Sequence, residues 1–146
     1  MIRPLVFLFA LVMLSLAAHC VEAADVIEGP VAAEVLRVVD GDTLKLRVHI
    51  WLGQTVDVDV RIAGIDAPEL RGKCPYERAR AEEARDYLGR GRAILLARVR
   101  NDKYGGRVVA DVTEANAGDI AQAMVARGLA RAYDGGKREP WCQTGS

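Results

Sequence analysis

A strict alternation runs from Thr55 to Ile62 and stops at a proline, and no other stretch constrains the fold as much. Val56, Val58, Val60 and Ile62 face one way and Thr55, Asp57, Asp59 and Arg61 the other, which is the period-2 pattern of a half-buried strand. Arg61 is thereby placed on the polar face. Pro68 lacks an N–H and biases Ala67 toward extended backbone, so the strand has to end before it. Asp66 and Glu69 then fall where the chain turns out of the sheet. One cation and two carboxylates share a strand end.

Upstream, Val31 to Val39 and Thr43 to Leu52 read as strands joined at Asp40-Gly41, a tight-turn dipeptide, and Gly53-Gln54 turns the chain into the alternating strand. Connections this short make the three strands antiparallel neighbours. Pro75 to Leu88 reads as a helix, with proline in its first turn, Glu77 near its positive end and Gly89 as its stop. Arg92 to Arg100 and Arg107 to Val112 are two further strands around the polar turn Asn101 to Gly106. A second helix runs from an N-cap at Asp119 to about Arg127, with Gly128 beyond it. Five short strands with two helices make a mainly β, closed or nearly closed barrel the economical fold, since an open sheet leaves edges exposed.

The N-terminus reads as a removable leader, residues 1–23: Arg3, an apolar run from Leu5 to Ala18, and Val21-Glu22-Ala23 before the cleavage point. His19 is ill suited to the position before a lipidated Cys20. The run is short for a membrane span, so the mature chain, residues 24–146, is expected to be a single domain, periplasmic or secreted, with no stable membrane insertion. The leader takes Arg3 and Glu22 with it, so the 20 basic and 20 acidic residues fall by one each and stay balanced. That balance excludes a strongly basic packaging protein. Of three cysteines, Cys74 and Cys142 remain after cleavage, and an oxidising compartment favours their pairing.

Asp42 and Asp66, each at a strand edge, offer the carboxylate oxygens that a hard cation such as calcium prefers, whereas isolated His49 and an oxidised Cys74 leave little for zinc. Alone, Asp40-Gly41-Asp42-Thr43 also reads as an ordinary hairpin turn, and Asp57 and Asp59 as the solvated face of a strand. Glu69 is placed as a general base toward water. Arg61 and Arg107 suit phosphoryl oxygens and the charge that grows when water attacks phosphorus. Lys103 and Tyr104 offer a phosphate contact and a stacking ring, or are plain exposed turn residues.

In order, Asp42 within Asp-Gly-Asp-Thr, then Arg61 to Glu69 as Arg-x4-Asp-x-Pro-Glu, then Asp102-Lys103-Tyr104-Gly105-Gly106-Arg107, the chain resembles the staphylococcal nuclease (thermonuclease) family from about Val31 to Tyr133. The resemblance implies a five-stranded OB-type barrel and a calcium-dependent nuclease that cleaves single-stranded or frayed DNA and RNA on the 5′ side of the phosphodiester. It implies one calcium ion held by the carboxylates of Asp42 and Asp66 and the backbone carbonyl of Ala67, phosphate binding by Arg61 and Arg107, and Glu69 as general base. Lys103, Tyr104 and Tyr133 match the region that holds a terminal phosphate and base. The chain carries one extra glycine before Arg107, a shorter loop after Glu69, and no room for a long final helix, for which a Cys74–Cys142 bridge is the expected substitute. A monomer is expected. The competing reading is a non-catalytic OB-type nucleic-acid or protein-binding module; its weakness is that carboxylates repel phosphate unless a cation intervenes.

Overall fold

The computed structural model describes residues 25–89 and 92–142. The leader expected over residues 1–23 lies outside the described residues. Among the described residues, nine strands and two helices follow one another as β1 (Val26–Ile27), β2 (Val31–Asp40), β3 (Thr43–Trp51), β4 (Gln54–Ile62), β5 (Ile65–Asp66), α1 (Pro75–Leu88), β6 (Ala93–Asn101), β7 (Arg107–Glu114), β8 (Gly118–Asp119), α2 (Ile120–Ala126) and β9 (Arg131–Ala132). The five long strands are those expected, to within a residue or two at most ends. The four two-residue strands are too short to leave a periodicity in the sequence.

Antiparallel pairing runs β6–β2–β3–β4, β7 adds to β4 in parallel, and β7 pairs back to β6, which closes a five-stranded mixed barrel of OB type. Closure leaves no free edge among the five. Alternate residues fill it: Leu44, Leu46 and Val48 from β3, Val60 and Ile62 from β4, Ile94 and Leu96 from β6, Ala110 and Val112 from β7. Ala84 and Leu88 of α1, and Ile120 and Met124 of α2, join the same core. Alternation fails to bury the outer half of the β3–β4 hairpin, where Ile50, Trp51, Leu52 and Val56 are exposed. That tip reaches past β2, whose last partner on β3 is Val48, so there is no layer to cover it. On the outer face Arg47 holds Asp57 through two contacts of 2.9 Å and Lys45 holds Asp59 at 3.1 Å, cross-strand pairs rather than free solvated carboxylates.

Each helix begins and ends for a local reason. Asp119 caps α2 by accepting the N–H of Gln122 at 2.8 Å. Gly128, at φ +66°, ends it in a Schellman motif: its own N–H goes to the Val125 carbonyl and that of Leu129 to Met124. At α1 the N-cap residue Cys74 makes no side-chain cap. Glu77 does that work from the third helical position, accepting the N–H of Lys73 at 3.0 Å and of Glu69 at 3.4 Å. The cap therefore ties the helix start to the loop after β5.

Among the described residues no helix is long and apolar enough to cross a membrane. Cys74 and Cys142 form a disulfide across a sequence separation of 68, fastening the C-terminal segment to the start of α1.

Candidate active site

Three pieces of chain converge at one end of the barrel. The β2–β3 turn brings Asp42; the end of β4 brings Arg61, whose register partner on β3 is Thr43; and the start of β7 brings Arg107, beside Asp59 of β4. The loop after β5 lies directly on the turn. A Cβ on Gly41 would come within 2.5 Å of the Pro68 carbonyl oxygen, so only glycine lets these backbones approach so closely. Asp40 locks the contact, its Oδ1 accepting N–H groups from Gly41 at 3.0 Å and from Leu70 at 2.8 Å. Within Asp-Gly-Asp-Thr, then, the first aspartate is a clamp and the second faces the site.

The resulting cleft, about 140 Å³, is lined by Asp42, Arg61, Ala67, Glu69, Arg107 and Arg138 together with Val39, Asp40 and Thr43. Arg61 is nearly enclosed despite its place on the polar face, because the β5 loop and the C-terminal segment cover that end of the strand. Its Nη2 lies 3.3 Å from Asp42 Oδ2 and donates to the Ile65 carbonyl at 3.3 Å. Asp42 also accepts the Thr43 hydroxyl at 2.8 Å. Burial pushes the Asp42 carboxyl above its ordinary value, and neither Arg61 nor the Thr43 hydrogen bond brings it back. Arg107 is held through Nε by Asp102. Burial works against the charge of Asp102, but the hydrogen bond and charge of Arg107, with the Lys103 N–H, outweigh it and set that carboxyl below its usual range. Glu69 is exposed and open to water.

The glycine-rich turn before Arg107 leaves that residue in the lining of the cleft. Gly105 and Gly106 project into open space, Gly106 at φ +79°, and the Asp102 N–H closes the turn onto the Arg107 carbonyl at 3.1 Å. Tyr104 lies with its ring 5.1 Å from the guanidinium carbons of Arg107 and from Lys103 Nζ, at the rim rather than within the cleft. Tyr133, likewise outside it, sits 5.7 Å from Arg61, and its backbone N–H reaches the Gly64 carbonyl.

Asp66 is buried beside the cleft, and both its carboxylate oxygens have partners from the C-terminal segment: Arg138 Nε at 3.2 Å and Trp141 Nε1–H at 3.1 Å. Arg138 Nη1 is also 3.8 Å from Glu69. Neither Arg138 nor Trp141 stands out in the sequence, since the tail has no periodicity and matches none of the three motifs. The one signal was Cys142, which a bridge to Cys74 returns to the neighbourhood of Glu69.

The donors here fit a hard cation. Asp42 is a partly buried carboxylate that its protein partners under-compensate, Ala67 lines the same cleft and has a backbone carbonyl to offer, and Asp66 lines the adjoining hollow that shares Ala67, Glu69 and Arg138 with it, an oxygen-only set. The sulfurs of Cys74 and Cys142 lie close to Glu77, but the disulfide leaves no thiolate to bind a soft metal.

Residues 59–143, more than half of the chain, match the staphylococcal nuclease homologue family. The chain belongs to that family. No match is found among curated proteins. Family membership and the closed mixed barrel together give a nuclease-like fold, and the matched stretch contains Arg61, Asp66, Glu69, Arg107 and the tail that carries Arg138. Asp42 lies before it, placed instead by its contact with Arg61.

Proposed function

We propose that this is an exported, calcium-dependent nuclease hydrolysing phosphodiester bonds of single-stranded or frayed DNA and RNA. The observation that carries the proposal is the meeting of Asp42, Arg61, Glu69 and Arg107 in one small cleft. Two guanidiniums among carboxylates make sense for a phosphate that arrives where a cation is also held.

Asp42 and Asp66, with the Ala67 carbonyl, would hold one calcium ion, which supplies Lewis acidity at a phosphoryl oxygen. Arg61 and Arg107 take up the phosphate, and their charge favours the transition state as negative charge builds on its oxygens. Glu69, open to water, accepts a proton at its carboxylate as water adds to phosphorus; the P–O5′ bond breaks and the departing O5′ takes a proton from solvent, giving 3′-phosphate and 5′-hydroxyl ends. Lys103, Tyr104 and Tyr133 at the rim give the flanking phosphate a charge and the bases rings to stack on. A leader over residues 1–23 directs export to the periplasm or beyond, and the Cys74–Cys142 bridge suits an oxidising compartment.

The test is incubation of the mature protein with single-stranded DNA, with chelator, with calcium and with zinc, followed by identification of the product ends. Calcium-restored cleavage to 3′-phosphates is expected. Restoration by zinc and not by calcium overturns the assigned ligand set, and tight binding without cleavage returns the chain to the binding-module reading.

A further inference from the structure

We infer that Arg138 is a resident counter-cation of the metal-ligand carboxylates, which a metal ion has to displace, so that the disulfide-pinned tail sets the metal affinity of the site. The inference rests on the metal-dependent reading above. Three carboxylates surround this one guanidinium: Asp66 at 3.2 Å, Glu69 at 3.8 Å, and Asp42 in the wall of the same cleft.

The tail is built to keep it there. Trp141 donates its indole N–H to the other oxygen of Asp66, Arg131 stacks on the Trp141 ring at 3.9 Å, and Arg131 Nη1 also donates to the carbonyls of Glu139 and Pro140. One residue further on, Cys142 is bonded to Cys74. Both oxygens of Asp66 are consequently spoken for by residues three apart on one short, anchored segment.

A divalent ion and a guanidinium on one carboxylate repel each other strongly at such distances in a partly buried cleft. Metal binding at Asp66 therefore requires Arg138 Nε to let go. The side chain is 43% exposed and borders open cleft, so it can swing away while the bridge and the Arg131–Trp141 stack keep the tail in place. The residue thus occupies the Asp66 carboxylate in the metal-free protein and weakens metal binding by having to be moved.

The experiment is calorimetric titration of calcium, without nucleic acid, into the disulfide-bonded protein and into Arg138→Gln. Binding to Arg138→Gln should be tighter by roughly fivefold or more, the scale of a lost, partly exposed ion pair plus relieved repulsion. A second measurement leaves Arg138 in place. In Trp51→Phe, Trp141 is the one tryptophan left in the chain, and its emission should change with the same calcium dependence as a divalent charge arrives on the carboxylate that its indole N–H donates to. Equal or weaker calcium binding by Arg138→Gln, or a silent Trp141, overturns the role given to Arg138 while calcium-dependent nuclease activity stands. No calcium binding by either protein overturns the metal reading, and this inference with it.

Discussion

Asp42 and Arg61 come from different hairpins and meet at 3.3 Å, yet the arginine does not offset what burial costs the aspartate. The carboxyl remains above its ordinary value because desolvation outweighs the ion pair. Its sign fixes a prediction. A carboxyl whose folded value is raised gives stability that is complete below the unfolded value of 3.8 and is lost as pH climbs through the higher folded value. At neutral pH without metal, ionised Asp42 thus weakens the fold. Asp42→Asn should raise the melting temperature of the metal-free protein at pH 7 and abolish nuclease activity. A lowered melting temperature would mean that the Arg61 pair contributes more than burial costs.

Arg107 is fixed by Asp102 and points into the cleft, so its loss should be felt in the transition state more than in binding. Arg107→Ala is expected to lower kcat by roughly 10²-fold or more, as losing such a charge-stabilising donor does, with a much smaller change in oligonucleotide affinity. Glu69→Gln should behave likewise. Arg100 lines a different groove, away from Asp42 and Glu69, and Arg100→Ala should leave kcat within about twofold. An inverted result would move the second phosphate-binding arginine from Arg107 to Arg100.

Much of this architecture was legible because it rests on short-range rules. Alternation over β4, proline at the first turn of α1, the Asp119 cap and Gly128 each act within a few residues, and each is where the sequence placed it. The barrel itself followed from the need to hide strand edges, although the parallel β4–β7 pairing that closes it leaves no local mark. For the site, Asp42, Arg61, Ala67, Glu69 and Arg107 share the cleft, while Tyr104 and Tyr133 stand at its margins. The enclosure of Arg61 was not readable from its own strand, since it needs the β5 loop to fold back over it and a C-terminal segment that is distant in sequence. Arg138 and Trp141 were invisible for the same reason, their positions being set by a bond between residues 74 and 142.

That bond should matter for stability as well as for placement. Linking residues 68 positions apart restricts the unfolded chain, and such links contribute roughly 2–5 kcal/mol. Reduction, or the Cys74→Ser and Cys142→Ser pair, should lower the melting temperature measurably in the metal-free protein. The far-ultraviolet circular dichroism should change little, because none of the five barrel strands depends on the tail for its pairing. Mass analysis of the protein purified without reductant should find no free thiol on Cys74 or Cys142.

Two glycines near the site allow a matched comparison, because one is packed and the other is not. At Gly41 a Cβ would meet the Pro68 carbonyl at 2.5 Å and the Ala67 side chain at 3.0 Å, so Gly41→Ala has to push the Ala67–Pro68 segment away from the turn that carries Asp42. Backbone on backbone cannot yield as a flexible side chain can. The variant should be less stable by about 1–3 kcal/mol, the range for overpacking, and should lose activity beyond what the lost stability explains, because the carboxylates of Asp42, Asp66 and Glu69 no longer keep their spacing. At Gly106 a Cβ meets nothing, and φ +79° sets the only penalty. Gly106→Ala should therefore cost about 1 kcal/mol of stability and leave kcat almost unchanged, as should deletion of Gly106 if the insertion only bulges outward. Measuring kcat and urea midpoints for both substitutions separates the two effects. Equal losses of kcat at Gly41 and Gly106 would show that the Asp102 turn, and not the contact between the first hairpin and the β5 loop, controls the geometry of the cleft.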